Sequence, residues 1–94
     1  MTMKYKVKTT KKFRRDVKRL KNSGKFDLEK LNVVMRILEK GEILPDKYKN
    51  HALLGRFSGT FECHVEPNWL LIYAKRDDIL LLYLIRNGSY ANLF

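Results

Sequence analysis

The sequence is poor in the residues that redox, metal and nucleotide-cofactor chemistry require. It has one cysteine, Cys63, so no internal disulfide can form, and a reducing compartment is the simplest setting. Its two histidines, His51 and His64, give no zinc-ligand spacing together with Cys63. The reading is therefore no metal and no cofactor. No Gly-rich phosphate loop is present, and no serine sits in a nucleophile-elbow context. No apolar run approaches the roughly 20 residues of a membrane helix. The opening "MTMKYKVKTT" has positive charge but no apolar segment behind it, so it does not read as a secretory signal. These features point to the cytoplasm and away from a membrane partner.

Acidic residues are also scarce: 10 Asp and Glu face 20 Lys and Arg, a formal charge of +10. Such a field favours polyanions, either nucleic acid or an acidic protein. It is uneven. Lys4, Lys6, Lys8, Lys11, Lys12, Arg14, Arg15, Lys18, Arg19, Lys21 and Lys25 crowd the first quarter, opposed only by Asp16. A solvated face that keeps a small protein soluble is the plainer alternative. With 94 residues and 45% apolar content, the chain suits one folded domain spanning 1–94.

"KYKVKTT" alternates, which predicts a half-buried strand with its lysines on an edge. Thr10 can cap a helix in which Phe13, Val17 and Leu20 form a narrow apolar stripe, and Gly24 can end it. Asp27 can cap a second helix carrying Leu28, Leu31, Val34, Met35 and Leu38, with Gly41 as the stop. The segment "EILPDKYKNHALLGRFSG" has no period and reads as an ordered loop with at most one short extended piece. Three strands then follow closely. In the first, Phe61, Cys63 and Val65 share one face, and Glu62, His64 and Glu66 the other. Pro67-Asn68 turns into "WLLIYAK", and Arg76-Asp77-Asp78 turns into "ILLLYLIR", an antiparallel meander. Asn87-Gly88 reads as a further turn. The expected fold is α+β: an N-terminal strand, a two-helix hairpin and a three-stranded meander, forming one sheet with both helices on one face. Where the first strand joins is left open.

The two histidines are the candidate chemistry. An imidazole changes charge near neutral pH. Two of them flanking a phosphodiester can run acid–base transesterification. One accepts the ribose 2′-OH proton, the other protonates the departing 5′-oxygen, and cations offset the charge on phosphorus. This needs RNA and no metal. Each histidine can equally be an ordinary surface or hydrogen-bonded residue. Glu62 and Glu66, on the same strand face, could orient His64 or simply pair with lysines. Arg56, Arg86 and Lys49 could hold phosphate or be plain surface charge. Trp69, Tyr90 and Phe94 could stack on unpaired bases, although a tryptophan opening a strand also suits a core. Cys63 should point into the apolar face.

The blocks "HALLG", "ECHVEPNWLLIY" and "RNGSYANLF", in this order, resemble the signature segments of the YafQ branch of RelE-type toxins. The resemblance covers the second half of the chain by motif and nearly all of it by element order. It implies the toxin of a type II toxin–antitoxin pair and a ribosome-dependent endoribonuclease that cuts mRNA. The implied partner is an acidic antitoxin of the DinJ or RelB kind, and the complex would bind operator DNA. His51 and His64 match active-site histidines, and Trp69 and Phe94 match aromatic positions near the cleavage point. Two positions depart from the pattern. Asn68 stands where the family usually has aspartate, and Tyr90 where it usually has a third histidine. Asn68 cannot act as a base, and a phenol is a protonated donor and slow acid at neutral pH. Tyr90 could replace the histidine, the enzyme could be slower, or the site could be degenerate. The last case leaves a binding protein, or a ParE-like inhibitor that uses the helical hairpin from Lys11 to Lys40.

Overall fold

The computed structural model describes residues 4–55 and 58–93. Strand β1 (Lys6–Thr9) leads into helices α1 (Lys11–Ser23) and α2 (Leu28–Glu39). A 3₁₀ turn (Asp46–Tyr48) and a two-residue strand β2 (His51–Ala52) follow. The meander is β3 (Phe61–Glu66), β4 (Trp69–Arg76) and β5 (Leu81–Gly88), and the short helix α3 (Tyr90–Leu93) comes last. The capping residues behave as their chemistry predicts. The Thr10 hydroxyl accepts from the Phe13 amide, the Asp27 carboxylate accepts from the Glu29 amide, and Gly24 takes the left-handed conformation that ends α1.

The five strands run in the order β1-β5-β4-β3-β2. The β3–β4 and β4–β5 pairs are antiparallel, as the tight turns predict. β1 lies parallel to β5, with Lys6 opposite Leu81 and Thr9 opposite Leu84, so the lysine-rich strand is indeed an edge. The unpatterned loop supplies a fifth strand, β2, which pairs antiparallel with β3.

Both faces of β4 are used, which explains its uninterrupted apolar run. Trp69, Leu71 and Tyr73 meet Phe13, Leu20, Leu31, Val34 and Leu38 of the helical hairpin, together with Leu82 and Leu84. Leu70 and Ile72 form a smaller cluster on the opposite face with Leu93 of α3, flanked by Leu53 and Ile85. The helical hairpin therefore covers one face as expected, while α3 packs on the other.

Long-range packing corrects the turn expected at Asn87-Gly88 and decides between the alternatives left for Trp69 and Glu66. Asn87-Gly88 is not a turn; it completes β5. Asn87 is fully buried, its Oδ1 accepts the Trp69 indole N–H at 3.1 Å, and its Nδ2 has no partner among the described residues. Trp69 is only 1% exposed and packs edge-on against Phe26 at 5.0 Å, so it is a core residue and cannot stack on RNA. Glu66 takes the lysine-pairing alternative. The β3–β4 register shifts between His64 and Glu66, and Glu66 pairs with Lys30 of α2 at 2.9 Å. A bulge of this kind breaks the two-residue alternation from which a shared face was expected.

Candidate active site

The face of β3 away from the helical hairpin carries Glu62 and His64, because Cys63 and Val65 are committed to the main core. β2 pairs with β3 so that His51 lies directly opposite Glu62. The short strand is anchored from the side: the Tyr73 hydroxyl donates to Asn50 Oδ1 at 2.6 Å. Burial drives the Tyr73 phenol well above its ordinary range, so it remains a donor.

His51, Glu62 and His64 meet at one carboxylate oxygen. His51 Nε2 is 3.1 Å from Glu62 Oε1, and His64 Nε2 is 3.8 Å from the same atom. The Glu62 side chain is 9% exposed, against 51% for His51 and 28% for His64. Solvent therefore reaches both imidazoles while the carboxylate behind them is shielded. The other hydrogen bonds constrain the protons. A carbonyl can only accept, so the 3.2 Å approach of His64 Nδ1 to the Pro67 carbonyl puts the proton on Nδ1. In the neutral ring Nε2 is then the lone-pair nitrogen. His51 Nε2 faces Glu62 and its Nδ1 approaches the Ala52 carbonyl at 3.4 Å, so both of its ring nitrogens face acceptors.

The same three donors, all within 4.8 Å of one another, could also hold a divalent cation. Counting histidines and cysteine alone missed this, because the third donor is a carboxylate on the neighbouring strand. Two imidazoles and a carboxylate are a sound donor set for a transition metal.

Other sequence candidates are dispersed. Arg86 is held by buried Asp16 of α1 through Nε at 2.8 Å and Nη2 at 3.1 Å. The hydrogen bond to Asp16 raises the guanidinium further above its ordinary value. Two of its five N–H donors are thus committed to Asp16, and the side chain stays 24% exposed. Asn68 is exposed in the β3–β4 turn, and Tyr90 is exposed at the start of α3. Lys49 ends the 3₁₀ turn in a left-handed conformation, two residues before His51. Arg56 and Phe94 lie outside the described residues. Sequence reading missed the supporting roles of Asp16, Asn50 and Asn87. Each acts through a partner far away in the chain, and no local pattern announces it.

The family described as "Bacterial toxin of type II toxin-antitoxin system, YafQ" matches residues 5–94. The chain belongs to the YafQ family of type II toxins. It is 40% identical over 83 residues to the Escherichia coli K12 protein named mRNA interferase toxin YafQ, covering 87% of each chain. Among solved structures, the YafQ fold of the E. coli DinJ–YafQ toxin–antitoxin complex superposes with a TM-score of 0.88 at 35% identity, covering 98% of this chain and 99% of that one. A metal-bound toxin from Helicobacter pylori gives a TM-score of 0.88 at 39% identity, covering 96% and 99%. These likenesses fit the sheet order and helical hairpin described above. Among the described residues, no helix is long and apolar enough to cross a membrane.

Proposed function

We propose that this YafQ-family toxin is an endoribonuclease that cuts mRNA on the ribosome by attack of the ribose 2′-OH on the adjacent phosphorus. The carrying observation is the convergence of His51 and His64, both solvent-accessible, on the shielded Glu62 carboxylate. His64 Nε2 takes the 2′-OH proton as the 2′-oxygen–phosphorus bond forms. His51, entering with a proton on each ring nitrogen, delivers the one on Nδ1 to the 5′-oxygen as the phosphorus–oxygen bond breaks, and leaves as the neutral ring. The products are a 2′,3′-cyclic phosphate and a free 5′-hydroxyl. Glu62 keeps both rings oriented and does not itself touch the phosphate. Tyr90 would donate a hydrogen bond to the phosphate, and the family resemblance gives Phe94 an aromatic role near the cut. Arg56 and Lys49 would supply cations. Arg86 acts from behind, by fixing the end of β5 to α1.

The charge of +10 suits both a ribosome-bound strand and an acidic antitoxin of the DinJ or RelB kind, through which the pair would reach operator DNA. Such a nuclease works in the cytoplasm. The test is His64→Ala, measured by growth arrest after induction and by primer extension across mRNA. Loss of one positioned acid or base lowers the cleavage rate by about 10²–10⁴-fold. Arrest should then be relieved and the codon-aligned breaks should disappear. A folded His64→Ala protein that still cuts mRNA, or a wild type that damages DNA and leaves mRNA whole, would remove the assignment.

A further inference from the structure

The His64 ring borders two spaces. One is the cluster with Glu62. The other is a groove of about 880 Å³ between α2, the 3₁₀ turn and the end of β3, where Val33, Pro67 and Tyr48 meet Lys47 and Lys49. We propose that this groove seats one unpaired nucleotide of the RNA next to the linkage that is cut. Its base would lie against Tyr48 and the Val33–Pro67 surface, and its phosphate would face Lys47 and Lys49. The proposal rests on the ribonuclease reading and adds a substrate subsite to it.

Four observations carry it. The groove is continuous with the cluster, since His64 lines both. Its lining joins the exposed Val33 to Pro67 and to Tyr48, which is half-buried against the main core. Its rim is cationic: Lys47 Nζ lies 5.1 Å from the centre of the Tyr48 ring, and Lys49 is held at the end of the turn. The carboxylate in the lining, Glu66, is neutralised by Lys30. A flat aromatic face beside ammonium groups is the combination that single-stranded nucleic acid takes. An entering base can occupy the Tyr48 ring face and release Lys47 to the phosphate.

The measurement is fluorescence anisotropy with a labelled 2′-O-methyl RNA hexamer, which lacks the attacking hydroxyl and cannot be cut. It is applied to the wild type, to Lys47→Gln/Lys49→Gln, to Tyr48→Leu and to Tyr48→Phe, each first shown to be folded by its thermal melt. The lysine pair variant should bind about tenfold more weakly. Its dependence on salt should also flatten, by roughly 0.7 in log–log slope for each phosphate that is no longer neutralised. Tyr48→Leu should weaken binding about tenfold or more, and Tyr48→Phe should stay near wild type, because stacking needs the ring and not the hydroxyl. Unchanged binding in both the lysine pair variant and Tyr48→Leu overturns the proposal. So does loss of antitoxin binding with RNA affinity intact, which would make the groove a site for an acidic peptide. The cleavage test on His64→Ala stands apart. A variant that cuts nothing but binds the hexamer normally supports the ribonuclease reading while the anisotropy series still decides the groove.

Discussion

Asp16 and Glu62 are both carboxylates shut away from water, at 2% and 6% exposure, yet their surroundings differ in kind. Asp16 accepts from Arg86 twice, from Arg19 at 3.0 Å and from the Asn87 amide at 3.0 Å. Arginine does not lose its charge in the working pH range, so this carboxylate has permanent partners. It joins α1 to the end of β5 and has no capacity left for chemistry. Glu62 faces imidazoles. Its partners are ring nitrogens of His51 and His64, which solvent also reaches, in place of arginine forks. Depth of burial does not distinguish the two carboxylates; the chemistry of their partners does.

Substitutions can sharpen this contrast. The largest effect is expected on stability from Asp16→Ala. Removing one member of a buried ion pair strands the other and costs about 3–5 kcal/mol. Denaturant unfolding should show that loss, and a loss under about 1 kcal/mol, the size of an ordinary surface pair, would mean that the clamp is ornamental. Next comes Glu62→Gln, for which cleavage should fall roughly 10²-fold, the lower end for a misplaced acid or base. Its melting point should move little, because an amide still accepts from His51 in the same place. If stability collapses as in Asp16→Ala, the two carboxylates do the same work and the distinction fails.

The smallest effect concerns Cys63, one residue from Glu62 but on the opposite face of β3. Burial first, and the Glu62 charge second, push its thiol up to about 12. An unfolded thiol titrates near about 8.5. Between these values the unfolded chain has lost the proton and the folded one retains it, so stability declines as pH rises. The slope is at most about 1.4 kcal/mol per pH unit, and the contribution is fully present below about pH 8.5. Melts across roughly pH 8 to 10, the range that spans the unfolded thiol's titration, should show the decline in wild type and a flatter profile in Cys63→Ala.

Much of the fold can be read from short-range chemistry. Thr10, Asp27 and Gly24 announce the helix ends, and alternation finds β1 and β3. Pro67-Asn68 marks the turn between β3 and β4. The readings that fail involve partners distant in sequence. Asn87-Gly88 is a strong turn signal in isolation, but the Trp69 indole and the Asp16 carboxylate claim Asn87 from far along the chain. Arg86 reads equally as a phosphate ligand or a surface charge, and neither reading foresees Asp16 reaching it across 70 positions. Glu66 follows the strand period only until the bulge turns it toward Lys30. At the site, His51 and His64 are legible as a pair. Glu62 reads as one possible orienting group, but its place between the rings depends on the register of a two-residue strand that no period reveals.

The parallel pairing of β1 with β5 fixes an order of events. β5 lies between β1 and β4, so the N-terminal strand has no neighbour in the sheet until the last strand has emerged. During synthesis β2, β3 and β4 can assemble early through nearby pairings, whereas the Lys6–Leu81 ladder and the Asp16–Arg86 clamp must wait for a long loop to close. A toxin built this way cannot complete its tertiary structure before β5 has left the tunnel.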